Sequence, residues 1–382
     1  MPAQSETTYP LQDNGDGIVI SIPAPPTQAS PRHEELWTEM LVHSEAIRDL
    51  KSRWNTLATI SRLPDEVLGE VFFQLNLLYR SDELEWRLSH RYEWINVCQV
   101  CSHWRTVALS SPRLWSDITA TRSINWTKEV LARSQYAPLR VQIAMTNMAD
   151  GMDKAARLFL ADLARIEEAV VGVSTEAFEI LDALDAPAPV LRFLTVKAVH
   201  HRTFRPPGAQ RTIPPLHVLA RPFINRLEQL TLFGCPFPWN TPVSFTSLSH
   251  LRLVGTGAER PPMSDVMATL AHLPLLECVD LEDTLPVLPE DVTSVPASSM
   301  SVDMRRLRNL RLVGETIDCA HFLRCLTFPE SISLTLQCTS KRGLVDLVSC
   351  IQDKTPLIRQ PRTLVLDEDF AESSFRVRTM VK

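Results

Sequence analysis

Leucine returns in one spacing, LxxLxL, along the second half of the chain. It appears as LRFLTV from Leu191, LEQLTL from Leu227, LSHLRL from Leu248, LECVDL from Leu276 and LRNLRL from Leu307, with weaker echoes in SLTLQC and TLVLDE. The starts lie 36, 21, 28 and 31 residues apart, so the repeat is irregular but recurrent. Each unit reads as a short strand with alternate leucines buried, and a strand of that kind cannot cover its own apolar face. Stacking of the units covers it, which predicts a mixed α and β solenoid with parallel strands. The connecting stretches SDVMATLAHLPLLE and CAHFLRCLTFPES carry helical spacing leading into the next strand. Upstream, SINWTKEVLARSQYAPLRVQIAM and GMDKAARLFLADLARIEEAVVGV repeat helix then strand in degenerate form.

On such strands the residues between the leucines share the opposite face. They are Phe193, Thr195 and Lys197; Gln229, Thr231 and Phe233; His250, Arg252 and Val254; Asp280 and Glu282; Asn309, Arg311 and Val313. Their mixture of polar, charged and aromatic groups suits a protein partner, and the alternative is a merely solvated face. Two interruptions, HHRTFRPPGAQRTIPP from His200 and VLPEDVTSVPASSM from Val287, read as mobile surface insertions that leave the strand register intact.

A chain of 382 residues exceeds one ordinary core and suits a small module joined to a larger body. The net charge of -6 gives no broad positive field, so duplex nucleic acid is not expected as a partner. GIVISIPAP from Gly17 is too short and proline-interrupted for a secretory signal, and no stretch is apolar enough to span a bilayer. A cytoplasmic or nuclear location and no membrane partner are expected, with the eight cysteines reduced. Glycine numbers only 11 against 28 prolines, and neither GxGxxG nor GxxxxGK[ST] occurs, which weighs against nucleotide enzymes.

Residues 1–32 are polar and proline-rich and read as a disordered tail. From there Leu36, Met40, His43, Ile47, Leu50, Trp54 and Leu57 recur in alternating steps of four and three, predicting a helix over 33–59. That stripe either folds back on its own chain or supports weak self-association with a second copy.

Residues 61–120 form the next part. SRLPDEVLGEVFFQL opens with helix-start chemistry, Pro64 suiting the first helical position and Asp65 and Glu66 the positive end of the dipole. A second helical run is predicted from about Trp94, in which Val97, Cys101, Trp104 and Ala108 form a stripe. Ser110, Ser111 and Pro112 stop it before Leu114 and Trp115. Cys98 and Cys101 make a CxxC pair, but no second close pair completes a zinc site and Ser102 stands where haem attachment needs histidine. Placed inside an amphipathic helix, the pair also lacks the strand-to-helix setting of a redox motif. No metal and no cofactor are expected.

LPDEVLGEVFFQL followed by VCQVCSHWRTVALSSPRLWSDI resembles an F-box, and with NTLATISRLPDEVL it is similar to the F-box-like proteins abundant in fungi. The leucine repeats resemble irregular leucine-rich repeats, which makes 121–382 the repeat domain. The F-box resemblance implies a three-helix module docking on the Skp-type adaptor of a cullin-RING ubiquitin ligase. It assigns adaptor binding to Leu63, Pro64, Val67, Leu68, Val71 and Phe72, to Val97, Cys98, Cys101, Trp104 and Arg105, and to Leu114 and Trp115. About half of these are expected to be core, and the link from Leu75 to Trp94 is longer than the family usually has. The expectation is a non-catalytic substrate receptor of an SCF-type ligase. An unknown target would be held by Gln229, Thr231, Phe233, His250, Arg252, Asp280, Glu282, Asn309 and Arg311. The alternatives are an F-box-like scaffold recruiting no ligase and a cysteine or histidine hydrolase, for which no histidine here has the motif context.

Overall fold

The computed structural model describes residues 30–79, 92–121, 123–145, 152–174, 187–198, 219, 224, 226–239, 245–255, 260–289, 291–292, 294–296, 300–329, 331–354 and 375–379. All but the last three residues of the expected tail, the link over 80–91, the basic insertion from His200 and the TLVLDE echo lie outside them. The chain divides into two compact units: Met1–Thr119 with Glu129–Ala137, and Ala120–Lys128 with Pro138–Lys382.

In the first unit, helix α1 runs Pro31–Thr56, starting two residues earlier than the spacing predicts and ending three earlier. Pro31 suits the start because its missing N–H has no partner in a first turn. No residue of α1 is buried, so the stripe does not fold back into the described core. A 3-10 turn at Thr59–Arg62 leads to α2, Asp65–Leu78. A second 3-10 turn, Glu93–Gln99, precedes α3, Ser102–Leu109, and a third, Pro112–Trp115, leads to strand β1, Asp117–Thr119.

The predicted continuous run from Trp94 is therefore two pieces. Cys101 breaks it, taking an extended conformation (φ −159°, ψ 168°) as the N-cap of α3. Helical spacing survives the break because a 3-10 segment and an α-helix place residues three and four apart on nearly the same side.

The core of this unit is aromatic. Trp94 and Trp115 meet edge to face with ring centroids 5.2 Å apart. The Trp115 indole N–H donates to the Ala108 carbonyl at 2.9 Å, and the Arg133 guanidinium lies 5.0 Å from its ring. The Tyr92 hydroxyl bridges Thr119, donating to its carbonyl at 2.6 Å and accepting its N–H at 2.9 Å. Buried Asn76 donates to the Leu114 carbonyl at 3.4 Å, so its amide is not left unpaired.

Helix α4, Ile124–Ser134, spans the division between the units. In the second unit follow β2 (Leu139–Met145), α5 (Met152–Ala161), β3 (Ile166–Val173), β4 (Phe193–Ala198), β5 (Gln229–Phe233) and β6 (His250–Val254). Then come α6 (Met263–Ala271), β7 (Cys278–Glu282), β8 (Val302–Asp303), β9 (Asn309–Gly314) and α7 (Thr316–Arg324). The last are β10 (Leu326–Thr327), β11 (Ser333–Cys338), α8 (Leu344–Lys354) and β12 (Phe375–Thr379).

The main strands lie side by side in the order β2-β3-β4-β5-β6-β7-β9-β11-β12. Each pairs in parallel with the next except β12, which runs antiparallel to β11. The short β8 and β10 pair separately. Every LxxLxL stretch supplies one strand, and the register passes both interruptions unbroken: Leu194, Leu230, Leu251, Val279, Leu310 and Leu334 stand in one buried row across the sheet. Val196, Leu232, Leu253, Leu281, Leu312 and Leu336 form the second such row. Each fully buried leucine adds about 1.5–3 kcal/mol of burial free energy, and a one-residue slip would turn a whole row to water.

The exits of three successive strands are alike. Gly234, Gly255 and Asp283 follow β5, β6 and β7 with φ of 64°, 52° and 51°. Their N–H groups donate across to Val254, Glu282 and Val313 at 2.8, 2.8 and 2.9 Å.

The segment from Val287 was expected to be a mobile insertion, but its described residues are tied down. The Leu288 N–H donates to the Asp318 carboxylate at 2.9 Å and the Val295 N–H to Asp346 at 3.3 Å. Arg324 donates to the Val295 carbonyl at 2.7 Å, and Arg342 to the carbonyls of Pro289 and Val292. Burial raises the Asp318 pKa above its ordinary value, against the Leu288 N–H that lowers it. Polar composition signalled a surface insertion, and these four side chains, distant in sequence, determine that its path is a fixed one.

Candidate functional site

Two surfaces, one in each unit, carry the residues singled out from the sequence. In the first unit α2 has two faces. Leu68, Phe72, Phe73 and Asn76 are buried, whereas Pro64, Val67, Val71 and Leu78 are exposed at steps of three, four and seven, along one ridge. Val67 and Val71 each keep 46% of their surface in solvent. Pro64 stands at the N-cap rather than the first helical position, its carbonyl accepting the Leu68 N–H at 3.0 Å. Leu63 is half-buried beside it.

Of the thirteen residues assigned to adaptor binding, Leu68, Phe72, Val97, Cys98, Leu114 and Trp115 lie in the core. They shape the ridge from below and are not themselves available to a partner. Cys101, Trp104 and Arg105 are half-buried on α3 and its cap. Phe72 and Trp104 lie 5.0 Å apart between ring centroids, coupling α3 to the buried side of α2. The exposed Val100, just before the cap, was missed because it falls off the helical stripe that the sequence suggested. Arg113 pairs with Glu70 at 2.8 Å and lies 3.7 Å from the Phe73 ring centroid, holding the third turn against α2.

The cysteine pair sits differently from expectation: Cys98 is buried in a 3-10 turn and Cys101 begins a helix. Burial pushes the Cys98 thiol up, against the weaker pull of Arg105 and Arg133, so it is a poorer nucleophile than an ordinary cysteine. Among the described residues no group of three or more His, Cys, Asp or Glu is placed to hold a metal ion.

In the second unit the residues between the leucines lie in rows on one face of the sheet. Phe193, Gln229, His250, Cys278, Asn309 and Ser333 make the first row, and Thr195, Thr231, Arg252, Asp280, Arg311 and Thr335 the second. Lys197, Phe233, Val254, Glu282, Val313 and Gln337 make the third. Cys278, Ser333, Thr335 and Gln337 were missed; the alternation that found Asp280 also reaches Cys278, and the weak echo SLTLQC held the other three. Thr231 and Val313 stand in these rows but are buried, so they are not free contacts.

The second row is an ion-pair ladder. Arg252 lies 3.2 Å from Asp280, and Arg311 lies 2.8 Å from both Asp280 and Glu282. In the third row the Lys197 ammonium stands 4.6 Å from the Phe233 ring centroid, with the Arg252 guanidinium 5.1 Å from the same ring. Burial first, and then the Arg252 charge, pull the Lys197 pKa down to about 8. A shallow depression lies over the first two rows, bordered by Gln229, His250, Arg252, Asp280, Asn309 and Arg311.

In the first unit an exposed apolar helix ridge lies over an aromatic core, and a ridge of that kind marks a protein-interaction surface. Residues 60–121 match the family model described as F-box-like, and the chain thus carries an F-box-like domain, a protein-interaction module. Comparison with curated proteins and with solved structures finds no match. No helix among the described residues is long and apolar enough to cross a membrane.

Proposed function

We propose that the chain is a non-catalytic substrate receptor of an SCF-type cullin-RING ubiquitin ligase. The F-box-like domain docks on a Skp-type adaptor, and the parallel sheet, as an irregular leucine-rich-repeat solenoid, holds a target protein. The observation that carries this reading is the exposure of Pro64, Val67 and Val71 within the residues matched by the F-box-like model. An apolar ridge left in water marks a partner site, and a helix laid in a groove uses side chains at this spacing. The strand exits at Gly234, Gly255 and Asp283, alike in backbone and hydrogen bonding, favour the repeat reading of the second unit. The target would lie over the ladder around Asp280 and Arg311. The chain's contribution is proximity: holding a target near the ubiquitin carrier raises the local concentration of its lysines.

The test is a pull-down of the full chain with a purified Skp-type adaptor, beside a Pro64→Ala, Val67→Asp double variant shown folded by circular dichroism. Binding by the wild type that disappears in the variant is the expected result. No binding by the wild type would leave an F-box-like scaffold that recruits no ligase.

A further inference from the structure

Helix α1 buries no residue, yet an apolar stripe, interrupted only by His43, runs along one side of it. Leu50 keeps 60% of its surface in solvent, Trp54 76% and Leu57 73%, with Leu36, Met40 and Ile47 exposed on the same stripe. At 1.5 Å per residue the helix is about 39 Å long, and a stripe of that extent is costly to leave in water. The alternating steps of four and three place Met40, Ile47 and Trp54 in one core line of a two-helix seam and Leu36, His43, Leu50 and Leu57 in the other.

The residues flanking the stripe distinguish the two ways of pairing it with itself. Arg32, Glu39, Ala46 and Arg53 border one side; Trp37, Ser44 and Lys51 stand on the other. In a parallel pair the two sides face each other, so Glu39 meets Ser44 and Ala46 meets Lys51, with no opposite charges matched. Each layer then also stacks a residue on its own copy, His43 on His43 and Trp54 on Trp54. In an antiparallel pair each side faces itself. Glu39 then meets Arg53 of the second copy, twice by symmetry, and Ala46 faces Ala46 near the twofold axis. The core layers become Leu36 on Trp54, Met40 on Leu50 and His43 on Ile47, each large residue set against a different one.

We propose that α1 is a self-association element, pairing antiparallel with α1 of a second copy of this chain in that register. The occupant follows from charge complementarity: the charged residues bordering that side of the stripe within α1 are Arg32, Glu39 and Arg53, and antiparallel pairing in this register brings Glu39 to Arg53 while Arg32 stands opposite position 60, beyond the helix end. The seam is short, and the Glu39 to Arg53 contacts lie at its rim, so they set orientation more than affinity.

The test is sedimentation equilibrium on the full chain from about 1 to 100 µM, the range in which a weak two-helix seam associates. The expected result is a monomer–dimer equilibrium that Met40→Glu with Leu50→Glu abolishes. Glu39→Arg and Arg53→Glu should each weaken it about tenfold by setting like charges opposite each other twice. Mixing those two variants, or combining both changes in one chain, should restore wild-type affinity. None of these changes touches a buried residue, and thermal melts of the variants serve to check that the rest of the chain is unaltered. A wild type still monomeric at about 100 µM would overturn the proposal, as would a dimer indifferent to Met40→Glu with Leu50→Glu. A dimer weakened by the single reversals but not rescued by mixing them would overturn the antiparallel register. Adaptor capture reads a different surface, so either proposal can fail while the other stands.

Discussion

The sulfur of Cys101 accepts the backbone N–H of Trp104 at 3.5 Å, capping the first turn of α3. A cysteine pair that suggests metal or redox chemistry thus has one member in a helix cap and the other in the core. Thiol sulfur is a weak acceptor, and serine is among the best capping residues. Cys101→Ser should therefore leave the thermal midpoint unchanged or raise it, by up to about 1 kcal/mol of stability. Cys101→Ala should cost about 0.5–1 kcal/mol. Chemical denaturation of both variants reads the difference, and a Ser variant less stable than the Ala variant would remove the capping role.

Val67 and Phe72 lie five residues apart on α2 but on opposite sides of it. Val67→Asp should change stability by no more than about 0.5 kcal/mol while abolishing adaptor binding. Phe72→Ala should cost about 3–5 kcal/mol and unfold much of a module this small. Calorimetric titration with the adaptor, paired with thermal melts, separates the two effects. Loss of folding in both variants would show that the ridge is structural.

Lys197 should titrate near pH 8 in competitive acylation, well below surface lysines, because it is half-buried beside the Arg252 charge. Arg252→Gln should move that titration upward by removing the positive neighbour. The folded chain gives up this proton at a lower pH than the unfolded chain does. Stability from this group therefore rises as pH climbs from about 8 toward the ordinary lysine value of about 10.4. A Lys197 that titrates with the bulk of the lysines would remove the basis for both expectations.

Gly343 has a φ of 79°, and a Cβ there would stand 2.8 Å from the Cα of Ile317 on α7. Gly255 also has a positive φ, 52°, but a Cβ there meets nothing within 4 Å. Gly255→Ala should then cost about 1 kcal/mol of backbone strain alone. Gly343→Ala adds a backbone clash to that strain and should cost about 2 kcal/mol or more. Urea unfolding of the pair measures the gap, and equal losses would mean that α7 shifts freely to admit the methyl group.

Local pattern alone determined a good deal of this protein. The spacing LxxLxL, with period two inside it, specified which residues form β4 to β7 and β9 and which side of each strand is buried, because alternation in a strand is a property of the backbone. The stripe from Leu36 to Leu57 likewise specified α1. The tertiary structure decided what spacing cannot carry. Val67 and Leu68, alike in chemistry and adjacent in sequence, differ in exposure from 46% to 0% because only one faces the Trp94 and Trp115 core. The path at Cys101 was decided by a cap that breaks a run the spacing leaves continuous. The segment from Val287 was fixed by Asp318, Arg324, Arg342 and Asp346, partners that neighbouring sequence does not reveal. Periodicity assigns a residue to a face; only the packing of distant elements decides whether that face meets protein or water.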